Sequence, residues 1–445
     1  MPAQDDRDTI AAIATAHGPG GVGIVRLSGP ASRAIAESIC ARRLYARQAV
    51  HARLVDGDGN SIDDGVVLWF AAPASYTGED VVELQAHGSP VVLAQLLQRC
   101  LKLGARQARP GEFTERAFLE GKLDLAQAEA VADLISAGSQ AAARAARRSL
   151  DGEFSRRVTD LVEQLTQLRM YVEAALDFPE EDIDFLAAPE LGERLRATRD
   201  ALAVLMGEAG RGKRLMDGLH VVIIGAPNVG KSSLLNALAD DDRAIVSDIA
   251  GTTRDLLRET LDLEGMLLTL VDTAGLRDSP DSIEAEGIRR ARAELQRADV
   301  VLAVLDGDDI AGLPTDLARE VPDGARVLWL HNKADLRPQS SNVVQTDHFA
   351  VSARTSLGLD LLRARLRDLA SGEGGGSFSA RARHLEALSQ AELCLGRARA
   401  CLESNQAELA AEELRQSQLA LGQITGVVDA DMLLGRIFSG FCIGK

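Results

Sequence analysis

The sequence predicts an α/β-plus-α protein: a small amino-terminal α/β domain, a helical domain, and a parallel-sheet α/β domain inserted into the helical one. Three observations predict it. Hydrophobic periodicity changes twice along the 445 residues, from short β-branched runs to long Ala/Leu/Glu/Arg segments and then to repeated strand–loop–helix units. The chain is longer than the roughly 250–300 residues that one core fills. Helical sequence flanks the last α/β block on both sides, which marks that block as an insertion. The implied divisions are residues 1–118, 119–214, 215–375 and 376–445, the second and fourth forming the two halves of the helical domain.

In the first division, Gly23–Leu27, Val66–Phe70 and Val81–Gln85 read as strands, and Ser32–Ile39 and Val91–Leu103 as helices. Ala126–Ala137 and Val158–Leu176 have helical spacing, interrupted after that by Pro179 and the acidic run Glu180–Asp184. Leu219–Ser352 repeats strand, loop and helix as a parallel sheet requires. The stretch Ser371–Ser377 (SGEGGGS) reads as a flexible linker, after which Arg381–Leu402 and Gln406–Gly422 return to helix.

Composition narrows the class. Hydrophobic residues at 46% and charged residues at 26% describe an ordinary globular chain, and aromatics at 3% with abundant Ala and Leu favour helix. No run of about eighteen apolar residues occurs, and no apolar stretch follows the polar start Met1–Asp8, so neither a membrane span nor a secretory signal is expected. The five cysteines include no CxxC pair, which suits a reducing, cytoplasmic setting rather than a disulfide scaffold or zinc site. A net charge of −17 argues against indiscriminate nucleic-acid binding. The cluster Arg144, Arg147, Arg148, Arg156 and Arg157 reads as a solvated helix face.

The chemistry concentrates in the inserted block. The apolar strand Val221–Ile224 feeds into GAPNVGKS (Gly225–Ser232) and then the helical LLNALA, the strand–loop–helix setting in which a glycine-rich loop turns its N–H groups onto phosphates. Asn228, Val229, Gly230, Lys231, Ser232 and Ser233 are the candidate phosphate-binding residues, with Lys231 reaching the β- and γ-phosphates and the Ser232 hydroxyl on Mg²⁺. Asp272-Thr273-Ala274-Gly275 follows the strand Leu267–Val271, so Asp272 can hold the magnesium through water and the Gly275 N–H can meet the γ-phosphate. Between them Ser247, Asp248, Ile249, Ala250, Gly251, Thr252 and Thr253 lead into the loop GTTRD, where Thr253 can complete the magnesium shell and release it on hydrolysis. Asn332-Lys333-Ala334-Asp335 follows a further strand, Val327–Leu330. The Asp335 carboxylate can accept from the ring N–H and exocyclic amine of guanine, a pairing adenine does not offer. Ser352, Ala353 and Arg354 close the base pocket. These elements, in order, predict a GTP site.

In Ras-like switches a Gln just after DxxG orients the attacking water. Leu276 stands there and cannot do so, which leaves Glu284 and Glu286 as groups that can reach the water. Asn228 together with GTTRD is similar to GTPases that hold a potassium ion in place of an arginine finger. That similarity implies Asn228, Ser247, Ile249 and Thr252 as potassium ligands, against the plainer role of Asn228 in shaping the loop.

The runs GGVGIVRLSG (Gly20–Gly29), SYTGEDVVELQAHG (Ser75–Gly88), RPGEFTERAFLEGKLDLAQAEAVADLI (Arg109–Ile135) and FCIGK (Phe441–Lys445), with the nucleotide motifs, resemble the MnmE/TrmE family of tRNA-modification GTPases from near Thr9 to Lys445. The resemblance implies a folate-type amino-terminal domain that pairs in a homodimer, a Ras-like GTPase domain, and a potassium-stimulated GTP hydrolysis. It also implies addition of an aminomethyl-type group to carbon 5 of the wobble uridine of certain tRNAs, with an FAD-dependent MnmG/GidA-type partner and a one-carbon tetrahydrofolate. Carried over residue by residue, Arg26, Glu83, Lys122 and Lys445 match the folate-binding positions, and Glu284, preferred to Glu286, matches the catalytic glutamate. Arg and Lys suit the glutamate carboxylates of folate and a Glu suits the donors on a pterin edge. Cys442 in CIGK is a catalytic candidate whose role stays open between nucleophile and small packed side chain. His17–Gly20 (HGPG) departs from relatives that carry Arg between the glycines. The alternatives are an Era- or EngA-like ribosome-assembly GTPase, which predicts a basic carboxy-terminal module absent here, and a purely regulatory switch.

Overall fold

The computed structural model describes residues 8–177, 189–226, 228–239, 258–262, 267–272, 292–306, 321–322, 325–336, 347–371, 378–427, 431–438, 440–441 and 444. The chain divides into two compact units, one of Met1–Ala132, Val158–Thr166 and Leu414–Lys445, the other of Asp133–Arg157 and Gln167–Glu413.

The first unit holds a six-stranded sheet, β1 (Ile10–Ile13), β2 (Gly20–Ser28), β3 (Val50–Val55), β4 (Ser61–Phe70), β5 (Val81–Gly88) and β6 (Arg106–Gln107), in the order β3-β4-β5-β2-β1-β6. All neighbours are antiparallel except β1 and β6. Helices α1 (Ser32–Cys40) and α2 (Pro90–Lys102) pack Ile35, Ile39, Leu93 and Leu96 against Val25, Leu27, Val67 and Leu84 of the sheet. The three strands named from sequence are present and longer at their polar ends. Strand β1 escapes the sequence pattern because IAAI is short and Ala-rich, yet Ile10, Ala11 and Ala12 are fully buried inside the sheet.

Helices α3 (Glu112–Leu119) and α4 (Leu125–Ser136) meet the last helix, α12 (Asp431–Phe438), through Phe118, Leu125, Ala128, Leu434, Phe438 and Phe441. Beyond this helix, Phe441 and Gly444 are buried. Gly444 has φ 98°, and a Cβ there would lie 2.2 Å from the Ile13 carbonyl oxygen, so only glycine fits beside the end of β1.

A charged network ties this unit together. Arg116, buried on α3, donates to the Asp8 carbonyl and carboxylate, to Glu79 at 3.0 Å and to Glu112 at 3.3 Å. Arg106 binds Asp8 and Glu112, and Ser28 donates to Glu79. Burial raises the Glu112 carboxyl, but Arg106, the Arg109 N–H and Arg116 outweigh it and hold the group below its ordinary 4.5. Hydrogen bonding from Arg106, with Arg116, likewise outweighs burial and keeps Asp8 low. Depressed carboxyls stabilise the fold above their ordinary values, and that contribution is lost as pH falls through the lowered ones. Arg116→Met, which takes the Arg116 cation away from Glu79 and buried Glu112, is expected to cost about 3 kcal/mol at neutral pH. Urea unfolding of the full chain checks this, and the deficit should shrink as the carboxylates protonate below pH about 4.

The second unit contains α5 (Gln140–Leu150), α7 (Pro189–Asp217), α10 (Ala382–Glu403), most of α6 (Glu153–Asp177) and the first part of α11 (Ala407–Thr425), with an inserted α/β block. The segments on either side of the block are joined. Arg381 grips Asp133 at 2.6 Å, Ser379 donates to Asp133 and bonds Ser149, and the ring of Phe378 stacks on Phe154 with centroids 4.7 Å apart. The insertion expected from the flanking helical sequence is therefore what the chain builds. The linker residues 372–377 lie outside the described residues.

The block is a sheet of β7 (Leu219–Gly225), β8 (Arg258–Asp262), β9 (Leu267–Asp272), β10 (Val300–Asp306), β11 (Arg326–Asn332) and β12 (His348–Ala350), in the order β12-β11-β10-β7-β9-β8. It is parallel apart from β8 against β9. On one face Val221, Ile223, Leu302 and Leu330 pack with α8 (Lys231–Ala239) and α9 (Leu359–Ser371); on the other Val222, Ile224 and Val301 pack with Leu295. Both faces are covered, which is why these strands read as unbroken apolar runs.

Candidate functional site

Ligands of a parallel α/β sheet bind beyond the carboxyl ends of its strands, where strand order reverses. Here the ends of β7, β10, β11 and β12 converge with the start of α8. The loop after β7 carries Asn228, exposed with φ 63°, a left-handed conformation Asn tolerates. Gly230 follows with φ 97°, and a Cβ there would lie 2.4 Å from the Asn332 side-chain nitrogen. Helix α8 begins at Lys231, whose first-turn N–H groups have no acceptor within the helix and point where an anion binds.

Lys231 is 8% exposed, and its Nζ donates to the carbonyl oxygens of Gly225 and Ala226, both at 3.1 Å. The ammonium and the N–H groups at the start of α8 place positive potential at the loop, which favours an anion. Ser232 and Ser233 lie on the exposed first turn of α8, and Val229 is buried beneath the loop. Asp272 ends β9 with its backbone in register with Ile223, one strand from the phosphate loop.

The base-pocket residues are linked to this loop. Asn332 is buried, its side-chain amide donating to the Val229 carbonyl at 2.7 Å and accepting from the Ala353 N–H at 3.3 Å. Ser352, fully buried, donates to the Asp335 carboxylate at 2.7 Å and so fixes its rotation. Lys333 has φ 62° and its ammonium pairs with Asp306 at 2.7 Å, while the Ala334 N–H donates to the Val351 carbonyl. Arg354 is exposed at the rim. Motifs far apart in sequence are thus held in one hydrogen-bonded frame. Sequence reading named Val229 for the phosphate loop but not its carbonyl's tie to Asn332, and it did not name Asp306; only the fold shows both contacts.

Ser247, Asp248, Ile249, Ala250, Gly251, Thr252, Thr253, Thr273, Ala274, Gly275 and Glu284 lie outside the described residues, as do Cys442 and Lys445.

A second polar site sits in the amino-terminal unit. Arg26 on β2 and Glu83 on β5 are cross-strand partners, the guanidinium meeting the carboxylate at 2.9 and 3.1 Å. They are not loose surface charges: the side chains are 22% and 15% exposed, with the rings of Tyr76 and Phe113 on Arg26 at 5.7 and 5.8 Å. Burial pushes the Tyr76 phenol up, and its hydroxyl bonds Thr114 at 2.8 Å. Lys122 donates to the Pro73 carbonyl at 2.9 Å, on the loop leading to Tyr76. Tyr76 and Phe113 are further candidates; the SYTGEDVVEL run was the only signal for the first. Phe441 and Gly444, which flank Cys442, are buried in the same unit.

Three buried cysteines, Cys40, Cys100 and Cys394, offer little nucleophilic chemistry. Burial pushes the Cys100 thiol up to about 12 and raises those of Cys40 and Cys394. Of the arginine cluster, Arg144, Arg147 and Arg148 are exposed as expected, while Arg157 binds Glu208 at 2.6 Å.

Two family models match the chain. That of the GTP-binding protein TrmE N-terminus matches residues 9–122, and that of the MnmE helical domain matches residues 125–442. A tRNA modification GTPase MnmE of Xanthomonas campestris is 59% identical over 441 residues, covering 98% of this chain and 99% of that protein. One from Xylella fastidiosa is 54% identical over 442 residues, covering 98% of each. Among solved structures, Aquifex aeolicus Era is 26% identical over 39% of this chain and 66% of that one, with a TM-score of 0.28.

Proposed function

The chain belongs to the MnmE/TrmE family of tRNA modification GTPases, and from that premise we propose a potassium-stimulated GTP hydrolase that acts with an FAD-dependent MnmG/GidA-type partner. Together they install an aminomethyl-type group at carbon 5 of the wobble uridine of certain tRNAs. The observation that carries the GTPase part is the frame joining Lys231, Val229, Asn332, Ser352 and Asp335. It supports phosphate binding at one end and guanine binding at the other. The near-full-length likeness to MnmE proteins ranks the ribosome-assembly reading well behind.

In this reading the Ser232 hydroxyl and Thr253 hold Mg²⁺, with Asp272 bound to it through water, and the metal neutralises phosphate charge. Potassium, on Asn228 and on Ser247, Ile249 and Thr252, supplies the positive charge that an arginine finger gives elsewhere. Glu284 takes over the orientation of water that Leu276 cannot perform. A one-carbon tetrahydrofolate, the methylene or formyl form, sits at Arg26, Glu83, Lys122 and Lys445. The existing Arg26–Glu83 pair fits that role in part: it holds both groups in place, but each must share its partner with the ligand. The aromatic rings of Tyr76 and Phe113 add a surface for a flat heterocycle. Cys442 is kept as a candidate near this site. The working form is a homodimer in the cytoplasm, and none of the described helices is long and apolar enough to cross a membrane.

Steady-state GTP turnover in KCl against NaCl at matched ionic strength tests the potassium part. Turnover is expected to be on the order of a hundredfold faster in KCl. Asn228→Ala should lose that increment while still binding nucleotide, and equal rates in the two salts would rule the ion out.

A further inference from the structure

The cations of this acidic chain are unevenly spread. The loop between α1 and β3, residues 41–49 (ARRLYARQA), carries Arg42, Arg43 and Arg47 and no acidic residue, in a protein of net charge −17. All of it is exposed except Leu44, which is 1% exposed and anchors the loop in the sheet core. The loop is held in one shape. The Leu44 N–H donates to Glu37, the Leu44 carbonyl accepts from Arg33, and the Arg47 N–H donates to the Trp69 carbonyl.

Two carboxylates border it, and both are engaged. Glu37 binds Arg33 and the Leu44 N–H, and Asp80 accepts from the Ala72 N–H. The acidic turn of the β3–β4 hairpin, with Asp56 and Asp58, lies at the opposite end of β3. Rings alternate with the cations: Arg43 lies 5.7 Å from the Tyr45 ring, Arg47 5.9 Å from Phe70, and Arg33 4.2 Å from Trp69. Tyr45 is 52% exposed, although aromatic residues make up only 3% of the chain. Arg47 donates to the Ala74 carbonyl at 2.7 Å and Lys122 to the adjacent Pro73 carbonyl. The basic track therefore runs up to the loop that borders the Arg26–Glu83 site.

We infer that residues 41–49 are an RNA contact: Arg42 and Arg43 meet backbone phosphates, and Tyr45 offers its ring to an unpaired base. Arg47 continues the track toward Lys122. Phosphate charge and base stacking are the two features that single-stranded RNA presents together, and an exposed ring beside Arg42, Arg43 and Arg47, which form no salt bridge among the described residues, answers both. An acidic protein segment would use the charges but leave the ring without a purpose. The inference rests on the tRNA-modification reading for the identity of the RNA. It places the RNA loop beside the proposed one-carbon site, where its uridine has to react.

The test uses the full chain with its FAD-dependent partner, an unmodified tRNA transcript, and binding measured across a KCl series. Arg42→Ala/Arg43→Ala removes two cations whose side chains make no hydrogen bond to the protein among the described residues. The salt dependence of log affinity is expected to become shallower by about 2. Tyr45→Ala should weaken binding, Tyr45→Phe should not, and GTP turnover without RNA should be unchanged in all three. Photocrosslinks should map to residues 41–49. Equal affinity and salt slope for wild type and double variant would overturn the inference, as would loss of flavoprotein binding with RNA binding intact. Loop-dependent RNA binding by a protein that modifies no uridine would sustain the contact and remove the modification reading instead. Unaltered uridine modification by a double variant with an unchanged KM for tRNA would do the reverse.

Discussion

GTP turnover by Lys231→Ala is expected to fall by on the order of 10² to 10³-fold, while the protein stays folded. The reason lies in what the ammonium does in each state. In the folded chain it is buried against two carbonyl oxygens of its own loop, an arrangement that contributes little to stability because a buried charge carries a desolvation cost. In the proposed mechanism it faces the developing charge between the β- and γ-phosphates in the transition state, where a preorganised cation lowers the barrier directly. Loss of rate without loss of stability is therefore the signature. Turnover with saturating GTP and a thermal melt of the same sample check both halves. A variant that melts many degrees lower would show that Lys231 has a structural role and weaken the assignment.

Asp335→Asn is expected to weaken GTP binding by roughly 10³-fold or more and to raise affinity for the xanthine nucleotide. Ser352 holds one carboxylate oxygen, so the group cannot swing away from a mismatched base. Guanine offers a ring N–H and an amine to a carboxylate, and an Asn in the same place sets its own N–H groups against them. Xanthine carries a carbonyl where guanine has the amine, and that carbonyl accepts from Asn. Competition of GTP and XTP for a fluorescent nucleotide measures the switch. If the Asp335→Asn variant bound neither nucleotide because the Ser352 tether had failed, Asp335→Glu with Ser352 intact would separate geometry from charge.

Much of this arrangement was legible in sequence because the signals were local. Val221–Ile224 is an unbroken β-branched and apolar run, and the glycine-rich loop and helix follow it without interruption, so strand, loop and helix could be placed from a dozen or so neighbouring residues. What could not be read were contacts that close over long chain separations. The Asn332 amide reaches Val229, 103 positions away, and Arg381 reaches Asp133 across 248. Arg26 and Glu83 each carried a family resemblance, but their pairing across two strands depends on register, which a single sequence does not display. The network of Arg106, Glu112 and Arg116 closes between β6, α3 and Asp8, and a local sequence pattern does not display such contacts. Strand β1 was hidden for a different reason: alanines are poor strand formers and IAAI is too short to show an alternation, although Ala11 and Ala12 are fully buried.

In the proposed function one chain carries a nucleotide site that times the reaction and an amino-terminal site that would supply its carbon. The most direct test is reconstitution with GTP, Mg²⁺, K⁺, methylene-tetrahydrofolate, glycine or ammonium, the FAD-dependent partner and unmodified tRNA, read by mass spectrometry of the wobble nucleoside. The account predicts that the uridine gains an aminomethyl-type group with the wild-type chain and none with Lys231→Ala. An unchanged uridine, in a reaction where GTP is turned over and the partner is active, would contradict it.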